Sequence, residues 1–395
     1  MLSEHQPSKL ASGAYDVIVV GARCAGSPTA MLLARRGYRV LVVDRAAFPS
    51  DTISTHMLHA PAVAALRRWD LLDQVLASGC PPIDRYSVDF GPVTIAGMPP
   101  AADGSRTAYA PRRTILDKVL LDGAARAGAE IRERFSVDEI LVEDGAVVGI
   151  RGRRRPGRNS RVVRAVQPER YHEKPPLMWP YYAYWSDLPT DGFETVVRPD
   201  RGWAAAPTND GLTMLVVGWP MAEASAFKAD VEANYLRTLE LAPAFAERVR
   251  GATRQSPFAG GATPNHFHRP YGPGWALVGD AGYVKDPITA QGIADAFRDA
   301  ERCAEALHRC FSGQQPYDEA MATYQQARDR HALPIYELTT QLAALAPPSP
   351  EMQQVVAAVA GSQPAMDAFL GTTAGTVPPE ELFSTERLGP LLASA

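Results

Sequence analysis

Asp16-Val17-Ile18-Val19-Val20-Gly21-Ala22-Arg23-Cys24-Ala25-Gly26, answered by Arg39-Val40-Leu41-Val42-Val43-Asp44, is the stretch that decides the fold. Two apolar runs of strand length flank a glycine turn and a small-residue segment, Ser27 to Arg36, of helical character, with Gly37 as breaker. This is a strand–helix–strand unit shaped to hold a dinucleotide. Gly21 permits the tight turn, Gly26 lets helix and strand approach closely, and the helix N-terminus offers amide N–H groups to a pyrophosphate. Asp44, about twenty residues past the turn, is placed to accept hydrogen bonds from a ribose. The middle glycine of the usual G-x-G-x-x-G is Arg23 here. That removes a close backbone approach but supplies a guanidinium able to pair with a phosphate oxygen.

Composition bounds the rest. At 395 residues the chain has room for two or three domains, and a hydrophobic content of 46% is ordinary for a globular protein. A net charge of −4 argues against a nucleic-acid partner or a membrane-surface role. Cys24, Cys80, Cys303 and Cys310 are scattered, with no metal-ligand or redox spacing, so no metal site is expected and a reduced, cytoplasmic setting is the simplest reading. Met1 to Ser12 is polar, with no signal-peptide core, and no run is long enough to span a bilayer.

Outward from Asp44, a hydroxyl-rich loop with His56 leads to a helical segment over Pro61 to Leu76. His56 and His59 read equally as helix-start histidines or as site residues. Tyr86 to Ala96 alternates as a strand or hairpin, and Ile115, Leu116, Val119, Leu120 and Ala124 share one helical face behind Arg112 and Arg113. Ile131 to Ile150 predicts a hairpin turning on Asp144-Gly145. The arginine-dense run Arg151 to Arg164 reads as a solvated surface loop. Pro175 to Pro220 is aromatic and β-rich, with turns at Asp191-Gly192 and Asp210-Gly211, and predicts a mostly antiparallel sheet. Tyr181, Tyr184 and Trp203 line an apolar pocket or fill the packed face of that sheet. Ala222 to Arg250 reads as a helical segment, and Ser256 to His268 as a return to the sheet. Tyr317 to Leu345 reads as a helix interrupted at Pro334, and a proline-rich linker at Pro347–Pro350 precedes a further helical segment.

A second motif, Trp275-Ala276-Leu277-Val278-Gly279-Asp280-Ala281-Gly282, continues through Asp286-Pro287-Ile288-Thr289-Ala290-Gln291-Gly292-Ile293. A buried strand is expected to deliver Asp280 to its C-terminal end, followed by a helix whose N-terminus near Gly292 supplies partial positive charge. The site thereby gains an acceptor for a polyol hydroxyl and donors for a developing anion.

Gly21 and Gly26 with Asp44, Arg113-x-x-Leu116-Asp117-x-x-Leu120, and Gly279-Asp280-Ala281 with Pro287 and Gly292 together resemble the FAD-dependent oxidoreductases that include the single-component aromatic hydroxylases and the geranylgeranyl-reductase-like enzymes. The resemblance spans Tyr15 to Cys310. It implies an α/β fold: a Rossmann-like FAD-binding domain (14–80, 106–165, 272–312), an inserted, mostly antiparallel β-sheet substrate domain (81–105, 166–271) and a helical C-terminal region (313–395). It implies FAD as cofactor, with Gly21, Arg23 and Gly26 at the pyrophosphate, Asp44 and Arg45 at the adenosine ribose, Arg113 at the ribose–pyrophosphate region and Gly279-Asp280 at the ribitol. Pro287, Gln291, Gly292 and Ile293 would sit beside the isoalloxazine, with His56 approaching from the other side; His56, Pro287 and Gly292 are the expected catalytic positions.

By the same resemblance NAD(P)H is the reductant and the partner is an apolar small molecule, with the chain acting as a monomer or homodimer. The leading expectation is a monooxygenase that hydroxylates or epoxidises a polycyclic compound through a flavin hydroperoxide. A reductase of carbon–carbon double bonds is the alternative, because Asp286-Pro287-Ile288-Thr289 resembles that branch; a flavin-binding protein without turnover is a third. Gly202-Trp203-Ala204-Ala205-Ala206-Pro207 lacks the second tryptophan of the halogenase signature. The chain also departs from the hydroxylases before Gly157-Arg158-Asn159-Ser160: Pro156 stands where an Asp-Gly pair used for FAD and NAD(P)H contacts is expected.

Overall fold

The computed structural model describes residues 15–154 and 162–394; the N-terminal tail and the Pro156 to Ser160 run lie outside them. The architecture is mixed α/β, with a Rossmann-like nucleotide-binding part, a large and mostly antiparallel sheet and a helical C-terminal region. Val40–Val43 is the central strand of a three-stranded parallel sheet, flanked by Val17–Val20 and Glu130–Arg132. All four of its residues are buried, as befits a strand covered on both faces. Helix Gly26–Ala34 packs against helices Arg113–Arg126 and Gly292–Phe311 in one apolar core around Met31, Leu33, Leu116, Leu120 and Phe297.

The predicted hairpin forms from Phe135–Glu143 and Ala146–Arg154, with Asp144 at φ 49° and Gly145 at φ 80°, the two left-handed positions of a tight hairpin turn. Its second strand runs to Arg154, which corrects the reading of Arg151 onward as loop. Arg151 faces Glu139 and Arg153 faces Asp138 across the pair, so exposed charge is neutralised within a solvated ribbon.

The large sheet has eight strands. Thr253–Arg254, Met178–Ser186, Thr213–Pro220, Arg201–Pro207, Phe193–Arg198, Tyr86–Asp89 and Thr94–Gly97 follow in order, and Ala259–Gly260 pairs separately with Met178–Ser186. Only Phe193–Arg198 with Tyr86–Asp89 is parallel. Alternation along Met178–Ser186 gives the sheet two different faces. Tyr181, Ala183 and Trp185 pack under helices Ala224–Ala229, Val231–Leu239 and Pro243–Arg250, where Trp219 stacks on Phe227 at 4.6 Å. Tyr182 and Tyr184 face the other way, towards the C-terminal helices Pro350–Ala360 and Gln363–Ala374.

Three further expectations are corrected. The segment Ala222 to Arg250 is three helices, because Asp230 leaves the helical region and caps the next helix by accepting from the Ala233 amide, and Pro243 starts a third. Asn265–His268 leaves the large sheet and pairs with Arg170–Lys174 and Tyr283–Val284. Helix Tyr317–Ala343 runs through Pro334 without a break. Proline removes one backbone donor there, but tertiary bonds hold the helix: the fully buried Arg328 donates to Tyr171 Oη and to the carbonyls of His268 and Gly282, and Tyr336 donates to the His172 carbonyl.

A Cβ on Gly26 would lie 1.9 Å from the Gly21 carbonyl oxygen. Gly26→Ala must therefore push the helix off the turn, and overpacking of this kind costs about 1–3 kcal/mol. We expect a lower unfolding midpoint together with loss of the yellow, FAD-loaded state; a variant with parental midpoint and parental flavin content would contradict the packing described.

Candidate active site

One cavity of about 1850 Å³ runs from the glycine turn to the C-terminal helices. It exceeds the roughly 300–1,000 Å³ of an ordinary single-ligand pocket, as a site for a long cofactor plus substrate must. Gly21, Arg23, Gly26, Asp44, Arg45, Arg113, Gly279, Asp280, Pro287, Gln291, Gly292 and Ile293 all lie in its wall. Residues far apart in sequence are thus gathered into one site.

In the first half, Gly21 turns the chain at φ 111°; at the start of helix Gly26–Ala34 the Ser27 amide is taken by the Arg23 carbonyl at 3.0 Å and Pro28 has no N–H, which leaves the Gly26 amide with no intrahelical carbonyl to bond. Asp44 is aimed by two amides, Ala22 N–H at 2.7 Å on one oxygen and Ala46 N–H at 2.7 Å on the other. Arg45 is exposed at the edge of the cavity. Asp117, wholly buried, accepts from Arg23 at 2.5 Å and from Arg113 at 2.9 Å. Arg23 also donates to the Ser50 and Asp51 carbonyls and to Ser50 Oγ, and its guanidinium lies over Phe48. The arginine that replaces a glycine therefore ties the following loop to helix Arg113–Arg126.

In the second half, the expected buried strand before Asp280 is only the half-buried Trp275–Ala276, paired with Tyr271–Gly272; a short turn of 3-10 helix, Gly279–Ala281, then presents the carboxylate. Asp280 is open to the cavity but ringed by protein, and that enclosure raises its pKa against the opposing pull of Arg113 and Lys285. Gly279 at φ 58° sets its bare Cα against the first unit, since a Cβ there would sit 2.8 Å from Ala25 Cβ. Pro287–Thr289 forms a 3-10 turn, Ala290 adopts φ 54°, and helix Gly292–Phe311 starts at the cavity wall. Gln291 donates to the Thr372 and Thr373 carbonyls, fastening this turn to the C-terminal helices.

His56 is buried behind the wall in a left-handed conformation, φ 61°. Its Nε2 is 2.5 Å from Tyr184 Oη, its ring stacks on that tyrosine, and Nδ1 has no partner. Burial, then Arg113 and Arg112, push its pKa down to about 3, so it is neutral at physiological pH. Tyr184 is on the cavity side of the sheet but is held by His56 and by Arg112 over its ring. Tyr181 is on the opposite face, edge-on to Phe227, and so is not a pocket residue. Trp203 borders the cavity but is buried in the same helix-packed cluster against Phe245. The neighbouring Tyr182 does line the cavity.

The structure settles partners that the sequence left open for His59 and Asp286 and did not signal for Lys285 with Asp295. His59 meets Tyr86 Oη at 2.9 Å and the Thr289 carbonyl at 3.3 Å, joining a helix start, the large sheet and the second turn. Burial lowers its pKa to about 4. Lys285 and Asp295 form a buried ion pair in the wall. Asp286 is buried, caps the Pro287 turn by accepting from the Ile288 amide, and leaves Oδ2 without a partner. Asp117 was legible, four residues after Arg113 on one helix face; Lys285 with Asp295 was not.

This donor set fits an FAD. One carboxylate acceptor, Asp44, and a helix N-terminus stand at the first turn, and a second acceptor, Asp280, and a second helix N-terminus at the second. A Cβ on Gly292 would meet no atom within 4 Å, leaving open space beside that helix start. No group of His, Cys, Asp and Glu suited to a metal ion occurs among the described residues, and no helix among them is long and apolar enough to cross a membrane.

Residues 14–165 match the family model of the FAD binding domain. The chain is 26% identical over 351 residues to the digeranylgeranylglycerophospholipid reductase of Methanocella arvoryzae, covering 81% of this chain and 83% of that one. It is 29% identical over 327 residues to the menaquinone reductase of Mycolicibacterium smegmatis, covering 74% and 76%. Among solved structures, a flavin-dependent brominase shares the fold at a TM-score of 0.77 and 18% identity, covering 96% and 98%.

Asp286 offers a test of the site's electrostatics. Burial pushes its pKa up to about 7. The folded state then holds a proton that the unfolded state releases above about pH 3.9, so this residue's contribution to stability falls as pH rises from about 4 to 7. Asparagine does not ionise. The unfolding midpoint of Asp286→Asn relative to the parent should therefore rise across that window and level off above it, and a pH-independent difference would contradict the assignment.

Proposed function

We propose, from the premise that this chain is an FAD-dependent oxidoreductase, that it is a monooxygenase inserting one oxygen atom into an apolar small molecule, with NAD(P)H as reductant. The observation that carries this reading is the continuity of the cavity. The turn Pro287–Ile293 opens directly onto a chamber walled by Met178, Pro180, Tyr182, Met214 and Val216 from the sheet and by Val356 and Phe369 from the C-terminal helices. A chamber of that composition holds an apolar substrate and keeps water away from a reactive group.

Bound FAD supplies the redox chemistry, accepting electrons from the nicotinamide and activating oxygen. The chain's own residues supply position and field. Asp44 holds the adenosine ribose, the start of helix Gly26–Ala34 holds the pyrophosphate, and Asp280 holds the ribitol. The start of helix Gly292–Phe311 favours negative charge at the isoalloxazine end, a stabilisation of about 0.3–1 kcal/mol when exposed and more when partly buried. Arg113 and Arg23 both stay fixed by Asp117 beside the turn where the pyrophosphate would lie. His56, neutral and buried behind Thr55 and Met57, acts as a positioning residue for Tyr184 and the loop.

A second reading, reduction of a carbon–carbon double bond, has its own support: both relatives named above are called reductases and align over about three quarters or more of each chain. One experiment separates the two. FAD-loaded protein is given NADPH or NADH and a panel of polycyclic phenols, polyprenyl alcohols and naphthoquinones, under labelled oxygen or under argon, and products are read by mass spectrometry. The proposal expects a product that gains one labelled oxygen atom and does not form under argon. A product that gains two hydrogens under argon would replace it with the reductase reading, and absence of any product from a fully flavinylated protein that NAD(P)H bleaches would contradict both.

A further inference from the structure

The wall of the cavity is divided by charge. Among the described residues, every charged side chain in it comes from the first glycine unit and its loop, from Arg113, or from 280–295. The large sheet and the C-terminal helices contribute none. Their polar groups in the wall are neutral, such as Ser87, Thr195, Tyr182, Gln341 and Thr372. Arginines close to this half are already committed: Arg112 to Asp210 and over Tyr184, Arg198 to Asp89, and Arg201 to Glu223.

An ionised group brought into that half would give up its water and meet no counter-charge among the described residues. Burial of an unpaired ion is strongly unfavourable, whereas hydroxyls and carbonyls need only the hydrogen bonds that Thr195, Ser87 or Gln341 can make. The cofactor half differs in holding charged groups of both signs and the start of a helix, although its Arg113 and Lys285 are paired with Asp117 and Asp295. A phosphate or carboxylate on the substrate therefore finds no unpaired cation in the sheet half, and at the cofactor half it would compete with the cofactor's own pyrophosphate.

We infer that the substrate is an uncharged apolar molecule bearing hydroxyl or carbonyl groups at most, and that the same skeleton ending in a phosphate or carboxylate is rejected. This rests on the reading of the chamber as the substrate site. It sets the chain apart from the relative whose name specifies a glycerophospholipid, because among the described residues no charged side chain in that half of the wall neutralises such a headgroup.

The test measures binding, not turnover. FAD-loaded protein is titrated with two matched pairs, geranylgeraniol against geranylgeranyl monophosphate and 2-methylnaphthoquinone against its sulfonate, and Kd is read from the perturbed flavin spectrum. The neutral member of at least one pair should bind, and its charged partner should bind at least about a hundredfold more weakly, the equivalent of about 3 kcal/mol. Thr195→Arg should narrow that gap by roughly tenfold or more. Charged partners that bind as well as neutral ones, no binding of either neutral ligand, or a gap unchanged in Thr195→Arg would overturn the inference. Neutral ligands that bind selectively but are never oxygenated or reduced would leave it standing and contradict the proposed reaction alone.

Discussion

Gly26 rests against the Gly21 carbonyl, and Gly279 rests against Ala25; side chains at either glycine would force the elements apart. The first contact holds the helix start above the turn that ends Val17–Val20. The second brings a chain segment more than two hundred residues away to the same spot, so that Asp44 and Asp280 share one cavity. Two missing Cβ atoms thus set the span between two acceptors and two helix N-termini. Such a span would suit an extended cofactor that carries a sugar and a polyol.

Polar connections then fix the remaining parts to this junction. Asp117 gathers Arg23 and Arg113 under the turn, His59 bridges Tyr86 and Thr289, and Gln291 fastens the second turn to Thr372 and Thr373. Each of these joins a different part of the fold to the cofactor half, with little freedom left at the joints. Burial keeps His56 and His59 neutral, so the partners on which their positions depend stay unchanged near neutral pH. The charges that do occur in the wall are concentrated where a dianionic pyrophosphate would lie.

What was legible in the sequence was local. The glycine turn, Asp44, the Asp144-Gly145 hairpin, the Arg113 helix and the helix after Pro287 each announce themselves within a few residues, through backbone needs that only certain residue types meet. Pairings across the fold were not legible. Tyr181 and Tyr184 look alike in an aromatic run, and which faces the cavity depends on strand parity set by the partner strands. Pro334 reads as a helix break because the bonds of Arg328 and Tyr336 that hold the helix come from distant segments. Asp286 is legible only as part of the Asp286-Pro287-Ile288-Thr289 run, and nothing in that run shows that burial leaves one of its oxygens unpartnered.

Whether both turns hold one cofactor is read by titrating flavin-free protein with FAD, FMN and AMP, followed by fluorescence and calorimetry. A site built from both halves predicts saturable FAD binding at least about a hundredfold tighter than that of FMN or AMP alone, since each fragment engages only part of the span. Asp280→Ala should lose most of that advantage while leaving AMP binding unchanged. FAD bound no more tightly than FMN, or a full advantage retained in Asp280→Ala, would contradict the account.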